Sequence, residues 1–250
     1  MRLRDRKIVV TGGGSGFGAA MCRRFAREGA RVLVADVRGD AAEEVAGGIG
    51  DSALAFTVDV SDGRQVAAMV DRAVSEFGDL DVVVNNAGIV HRNGPLLGVD
   101  ERTFDRLFAV NVKSIYWAVQ AAVPVFRRRG GGTFLNTAST GAIRPRPGLT
   151  WYNATKGAVM TLTRSLAAEL APDRIRVNAI LPVLAATGML EDAMGLPDTP
   201  DSRARFIPSV PLGRLAEPED VANAAVYLVS EREASFITGV CLPVDGGRTI

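Results

Sequence analysis

Short apolar runs and longer amphipathic stretches alternate along the chain. Residues 7–11, 31–36, 53–58 and 81–84 are Val-rich runs, apolar at successive positions rather than at every second one. A run apolar on both faces suits a strand buried between two helical layers. Between these runs, 16–28 and 62–77 carry apolar residues at the three- and four-residue spacing of an amphipathic helix. The alternation resumes downstream, with strand-like 132–138, 175–181 and 240–244 and helical 101–129, 151–170 and 218–230. Strands separated by helices are joined by crossovers and run parallel. The pattern therefore predicts a doubly wound α/β fold, a parallel sheet of about seven strands with helices on both faces.

Composition sharpens this reading. A chain of 250 residues holds one sizeable core. No repeat or Pro/Ser-rich linker divides it, so 1–250 is expected to be a single domain. Gly130-Gly131-Gly132 is expected to stop a helix and turn the chain, and the irregular stretch 183–208 to form a loop with one or two short helices. Lys plus Arg number 29 against 28 Asp plus Glu, a net charge of +1, which argues against a broad footprint for nucleic acid or an acidic membrane. No apolar run approaches the roughly 20 residues that span a bilayer. Behind the basic N-terminus the run Ile8-Val9-Val10 is too short for a signal-peptide core, so a cytoplasmic protein is expected. Cys22 and Cys241 give neither a disulfide framework nor metal-ligand spacing, and no metal site is expected.

The first strand runs into Thr11-Gly12-Gly13-Gly14-Ser15-Gly16-Phe17-Gly18, and a helix follows. Glycines permit the tight turn and let main-chain N–H groups approach a pyrophosphate at the positive end of that helix. The next strand ends in Asp36, at about the 20-residue separation expected between such a loop and a ribose-binding acid. A carboxylate there accepts from ribose hydroxyls and repels a 2′-phosphate, which points to NAD rather than NADP. Arg38 is the one nearby residue that opposes this, and it reads more readily as a solvated loop charge. Tyr152 and Lys156, four apart on one helical stretch, share a face. An ammonium beside a phenol lowers its pKa toward the range of a useful general base.

In this order and spacing the landmarks 11–18, Asp36, Asp59-Val60, Asn85-Asn86-Ala87-Gly88, Asn111, Ser139, Tyr152-Asn153-Ala154-Thr155-Lys156, Asn178 and Pro243-Val244-Asp245-Gly246-Gly247 closely resemble the short-chain dehydrogenase/reductase family, across essentially the whole chain. The resemblance implies a Rossmann-type fold and a nicotinamide cofactor. It implies Tyr152 as the general acid/base, Lys156 on the nicotinamide ribose, Ser139 on the substrate oxygen and Asn111 holding a proton-relay water. It places Gly12, Ser15, Gly16, Phe17, Gly18 and Asp36 at the cofactor, with Asp59 and Val60 at the adenine and Asn86, Ala87 and Gly88 on the adenosine side. Pro182, Val183 and Thr187 complete the set, Thr187 toward the carboxamide. Val183 stands where the family usually has glycine, a departure beside the nicotinamide, because glycine tolerates main-chain conformations that a β-branched residue resists.

The resemblance also implies a homotetramer and a substrate lid over 183–208. Arg144 and Arg146 are candidates for an anionic substrate group, with solvent or a neighbouring subunit the more expected surroundings. His91 is expected at the pocket mouth or on the surface, and Trp151 in packing. The favoured activity is NAD-dependent interconversion of a secondary alcohol and a ketone on a small polyol, sugar or hydroxy acid. The alternatives are reduction of a 3-oxoacyl thioester on an acyl carrier protein and a non-catalytic NAD-binding role.

Overall fold

The computed structural model describes Met1–Ile250. The strands β1 (Lys7–Thr11), β2 (Arg31–Asp36), β3 (Ala53–Thr57), β4 (Val82–Asn85), β5 (Gly132–Thr137), β6 (Ile175–Pro182) and β7 (Cys241–Val244) form one sheet in the order β3-β2-β1-β4-β5-β6-β7. Every neighbouring pair is parallel. The order reverses at β1 and β4, the switch point where a doubly wound sheet opens a crevice at the carboxyl ends of its strands.

Two apolar layers clothe the sheet. On one face the alternate residues Ile8, Val10, Val32 and Val34 pack with α1 (Gly16–Arg27), α2 (Gly39–Ile49) and α9 (Pro218–Val229). On the other, Val9, Leu33, Val83 and Phe134 pack with α3 (Gly63–Phe77), α5 (Ser114–Arg129) and α6 (Thr150–Leu170). Helix starts are set locally. The Asp62 carboxylate accepts from Arg64 N at 2.9 Å to cap α3, and Glu217 N donates to Asp220 Oδ2 at 2.9 Å in the capping box that opens α9 at Pro218. Gly130 ends α5 in the left-handed region, as expected of the glycine run. The sequence pattern does not single out α2, whose buried stripe is only Ala42, Val45 and Ala46.

One expectation needs correcting. Residues 101–129 do not form a single helix. They form α4 (Glu101–Phe108), a π-helical turn (Ala109–Lys113) and then α5. The π turn falls where Asn111 turns inward, its side chain taking both main-chain hydrogen bonds of Ile89. Widened turns of this kind cluster at functional positions. The stretch 183–208 contains α7 (Leu190–Met194) and α8 (Pro200–Ala204), followed by a 3₁₀ turn at Ile207–Ser209; the last helix of the fold is α10 (Glu231–Ala234).

Candidate active site

A cleft of about 580 Å³ runs across the carboxyl ends of the strands. Of the residues that the sequence places at a cofactor or in the chemistry, all but Gly18 and Asn111 line it. Gly18 is buried behind the wall. A Cβ there would overlap the Gly12 carbonyl, so glycine is what lets α1 close onto the loop. Gly12 itself has φ +65°, a conformation that favours glycine.

Thr11 at the end of β1 and Asn86 just after β4 pin this loop. Asn86 Nδ2 donates to Thr11 O at 2.9 Å, while Thr11 Oγ1 accepts from Asn86 N at 3.0 Å and Ala87 N at 3.1 Å. The N-terminus of α1 has no side-chain cap and no acidic residue in its first turn. Its unpartnered N–H groups and dipole therefore suit an anion. At the end of β2, Asp36 accepts from Gly14 N and from Arg38 N, each at 3.0 Å, which holds the carboxylate on the cleft wall. Arg38 Nε stands 3.9 Å from Asp36 Oδ1 with its side chain 60% exposed, an ion pair of little weight. Burial pushes the Asp59 carboxyl up, but bonds from Ser61 and Arg106 outweigh it and hold the group below its ordinary value.

Ser139, Tyr152 and Lys156 line the same cleft, with Lys156 against Gly88. Lys156 Nζ donates to Thr137 O at 2.8 Å, its one hydrogen bond, and burial brings its pKa down from the ordinary value to about 8. A Cβ on Gly88 would lie 3.3 Å from Asn111 Oδ1 and 3.4 Å from Lys156 Nζ, so the turn fits tightly against both groups. Lys156 Nζ is 5.8 Å from the Tyr152 ring centroid. Burial pushes the Tyr152 phenol up, and the Ser139 hydroxyl draws it part of the way back. The Ser139 oxygen accepts from Gly141 N at 3.1 Å, which fixes the side chain at the start of the next turn. Asn111 lies behind the wall, with Nδ2 donating to Ile89 O at 2.9 Å and Thr155 Oγ1 at 3.0 Å and Oδ1 accepting from Ile89 N at 2.8 Å.

Several expectations about the substrate side change. Arg144 and Arg146 both line the cleft rather than facing only solvent. His91 is neither at the mouth nor on the surface. It is buried, its Nδ1 lying 3.0 Å from Arg92 O, and it is not part of the cleft wall. Val183 does not force an unusual path: its φ is not positive, its N–H donates to Val244 O at 3.3 Å, and its side chain packs with Ala185, Val210 and Ala216. A β-branched residue is comfortable in that extension of β6. Thr187 lies against Gly16, in the glycine loop. Trp151 is in packing, its ring edge-on to Phe104 and its Nε1 donating to Leu96 O. Three contributors carry no recognisable motif: Arg106, which bonds Asp59, Thr137, which holds Lys156 through its carbonyl, and Arg248 at the far end of the cleft. Arg106 reaches Asp59 from another helix, Thr137 acts through a main-chain atom and Arg248 lies in the C-terminal tail, so sequence spacing gives no signal for them.

The sheet, the uncapped α1 terminus and the carboxylate at the end of β2 define a protein of the Rossmann nucleotide-binding class. A family model described as enoyl-(acyl carrier protein) reductase matches residues 12–249. The chain is 49% identical to 4-formylbenzenesulfonate dehydrogenase of Comamonas testosteroni over 100% of both chains. It is 36% identical to a 2-(S)-hydroxypropyl-CoM dehydrogenase of Xanthobacter autotrophicus over 99% of this chain and 98% of that one. Among solved structures, a 3-ketoacyl-(acyl-carrier-protein) reductase from Brucella melitensis complexed with NADH superposes with a TM-score of 0.94 at 46% identity, covering 99% of this chain and 100% of the other. The chain belongs to the short-chain dehydrogenase/reductase family.

Proposed function

We propose that the chain is an NAD(H)-dependent dehydrogenase that interconverts a secondary alcohol and a ketone on a small polyol, sugar or hydroxy acid. The formyl substrate named for the 49% identical relative widens that class to primary alcohols and aldehydes. One observation carries the reading: Tyr152 and Lys156 stand with Ser139 on the wall of the same cleft that holds the open N-terminus of α1.

The residues present fit a dinucleotide. The α1 terminus and the Gly12–Gly16 turn suit its pyrophosphate, and Asp36 its adenosine ribose. The Lys156 ammonium, with one partner inside the protein, keeps donors for the nicotinamide ribose hydroxyls. When bound, the nicotinamide supplies the hydride acceptor or donor. The remaining work falls to this chain. In the direction of oxidation, the Tyr152 oxygen takes the hydroxyl proton of the substrate, and in reduction it returns one. An ammonium on Lys156, 5.8 Å from the Tyr152 ring centroid, would favour the phenolate as the proton moves. Ser139 Oγ donates to the substrate oxygen as negative charge gathers there, worth about 3 kcal/mol in comparable sites. Ile89 and Thr155 take both Nδ2 donors of Asn111, so the residue can hold a relay water only through an acceptor atom.

Asp36 supports NAD over NADP, since its carboxylate would face a 2′-phosphate. A second reading, reduction of a 3-oxoacyl thioester, is favoured by the structural neighbour of that activity. Purified protein offered NAD, or NADP, with a panel of sugars, polyols, hydroxy acids, hydroxymethyl arenes and 3-hydroxyacyl thioesters decides between them. NADH formation with a small alcohol is the expected result. Turnover confined to the thioesters would replace the first reading with the second, and comparable rates with NADP would remove the cofactor preference.

A further inference from the structure

The charged residues of the cleft wall are sorted along its length. Its only acids, Asp36 and Asp59, follow β2 and β3 at one end of the sheet, and each has an arginine beside it, Arg38 and Arg106. At the other end Arg144 and Arg146 sit on the loop after β5, and Arg248 follows β7. None of these last three arginines forms an ion pair.

They are nevertheless held in place, and close together. Arg144 Nη1 donates to Arg248 O at 2.6 Å. The Arg146 guanidinium lies 4.6 Å over the Phe206 ring, and its main chain is fixed by Asn153 Nδ2 donating to Arg146 O at 3.0 Å. Asp245, the acid nearest Arg248 in sequence, is already engaged by Gly247 N, Thr249 N and Thr249 Oγ1. Arg248 Nη1 is consequently buried with no hydrogen-bond partner. Burial lowers the pKa of Arg146, and the nearby Arg248 lowers it further; burial and Arg144 act on Arg248 in the same way. Asp245 offsets part of this at Arg248; an arginine keeps its proton in such surroundings, so three guanidinium groups stand against an aromatic wall with one nearby carboxylate. A buried donor without a partner is costly, and Arg248 Nη1 is one, on a residue that lines the cleft together with Arg144 and Arg146.

We propose that Arg146 and Arg248, braced by Arg144, form a subsite for an organic oxyanion, a sulfonate or carboxylate carried by the substrate itself, with Phe206 lying against its hydrocarbon part. Guanidinium forks match such groups with two N–H donors each. The subsite rests on the dehydrogenase reading for its link to chemistry, since it places the anion in the cleft that also holds Tyr152. It excludes neutral polyols and sugars as preferred substrates and selects the hydroxy acids, or their sulfonate counterparts, among the classes above.

Calorimetric titration of the NADH-saturated protein with benzenesulfonate, benzoate and the uncharged methyl phenyl sulfone tests this directly. At least one anion is expected to bind about tenfold or more tightly than the sulfone, and to weaken as salt is raised. Arg146→Gln and Arg248→Gln should each weaken it about tenfold or more, with Arg248→Lys intermediate, while NADH affinity changes by less than about twofold. Equal binding of the sulfone, unchanged anion binding in both Gln variants, or displacement of NADH by the anion would each overturn the subsite. NADH is titrated alone first. Should it fail to bind, the dehydrogenase reading falls, and the anions are then scored on the free protein by the same criteria.

Discussion

Lys156 is a charged group in a place that disfavours charge. Its pKa of about 8 means that the free protein carries a buried ammonium at neutral pH at a cost of about 3 kcal/mol. Lys156→Met should therefore raise the melting temperature at pH 7 by about 4 °C, after the lost bond to Thr137 is counted, while removing activity. Between about 8 and the higher pKa of the unfolded chain, the unfolded state holds more protons, so wild type gains stability as pH rises and the gap to the variant narrows. Thermal scans across that range check it; a gap that widens with pH would contradict the burial argument. Asp36 is a second single-residue test. Asp36→Asn removes the charge facing a 2′-phosphate, and kcat/KM with NADP relative to NAD should rise about tenfold or more. No change in that ratio would show that the carboxylate does not select the cofactor.

Elements differ in how legible they are in sequence. The strands announce themselves because runs such as Ile8-Val9-Val10 and Val82-Val83-Val84 are apolar at consecutive positions, which a doubly covered sheet requires. The glycine loop, Tyr152 and Lys156 are readable because their chemistry needs fixed types at fixed local spacing. The break at Ala109–Lys113 is not readable: its cause is the Ile89 main chain, about twenty residues away, bonding Asn111. Arg146 is placed by the same kind of contact, its guanidinium lying over Phe206, sixty residues on. What a valine does in place of the family's glycine at 183 is not readable either: its N–H pairs with Val244, a residue of a distant strand, and its φ is not positive. The junction of loop and α1 offers an element-scale test. Gly18→Ala introduces a methyl against the Gly12 carbonyl, so α1 must shift off its loop. NADH affinity should fall about tenfold or more with a lower melting temperature; unchanged affinity would separate the loop from cofactor binding.

At the scale of the whole molecule, the cleft crosses the sheet at its switch point, with carboxylates at the β2–β3 end and unpaired arginines at the β5–β7 end. Several large apolar side chains, Tyr116 on α5, Leu97 and Phe236 among them, are exposed on the isolated chain. With the homotetramer that the family resemblance implies, light scattering should report the mass of four chains, and a monomeric mass would contradict that assembly. Activity as proposed depends on proton transfer by Tyr152 beside a bound nicotinamide, and Tyr152→Phe tests it most directly, with the best alcohol of the panel and saturating NAD. Turnover should fall by about a thousandfold or more while NADH binds as it does to wild type. Retention of a substantial fraction of wild-type turnover would contradict that role for Tyr152 and the dehydrogenase mechanism with it.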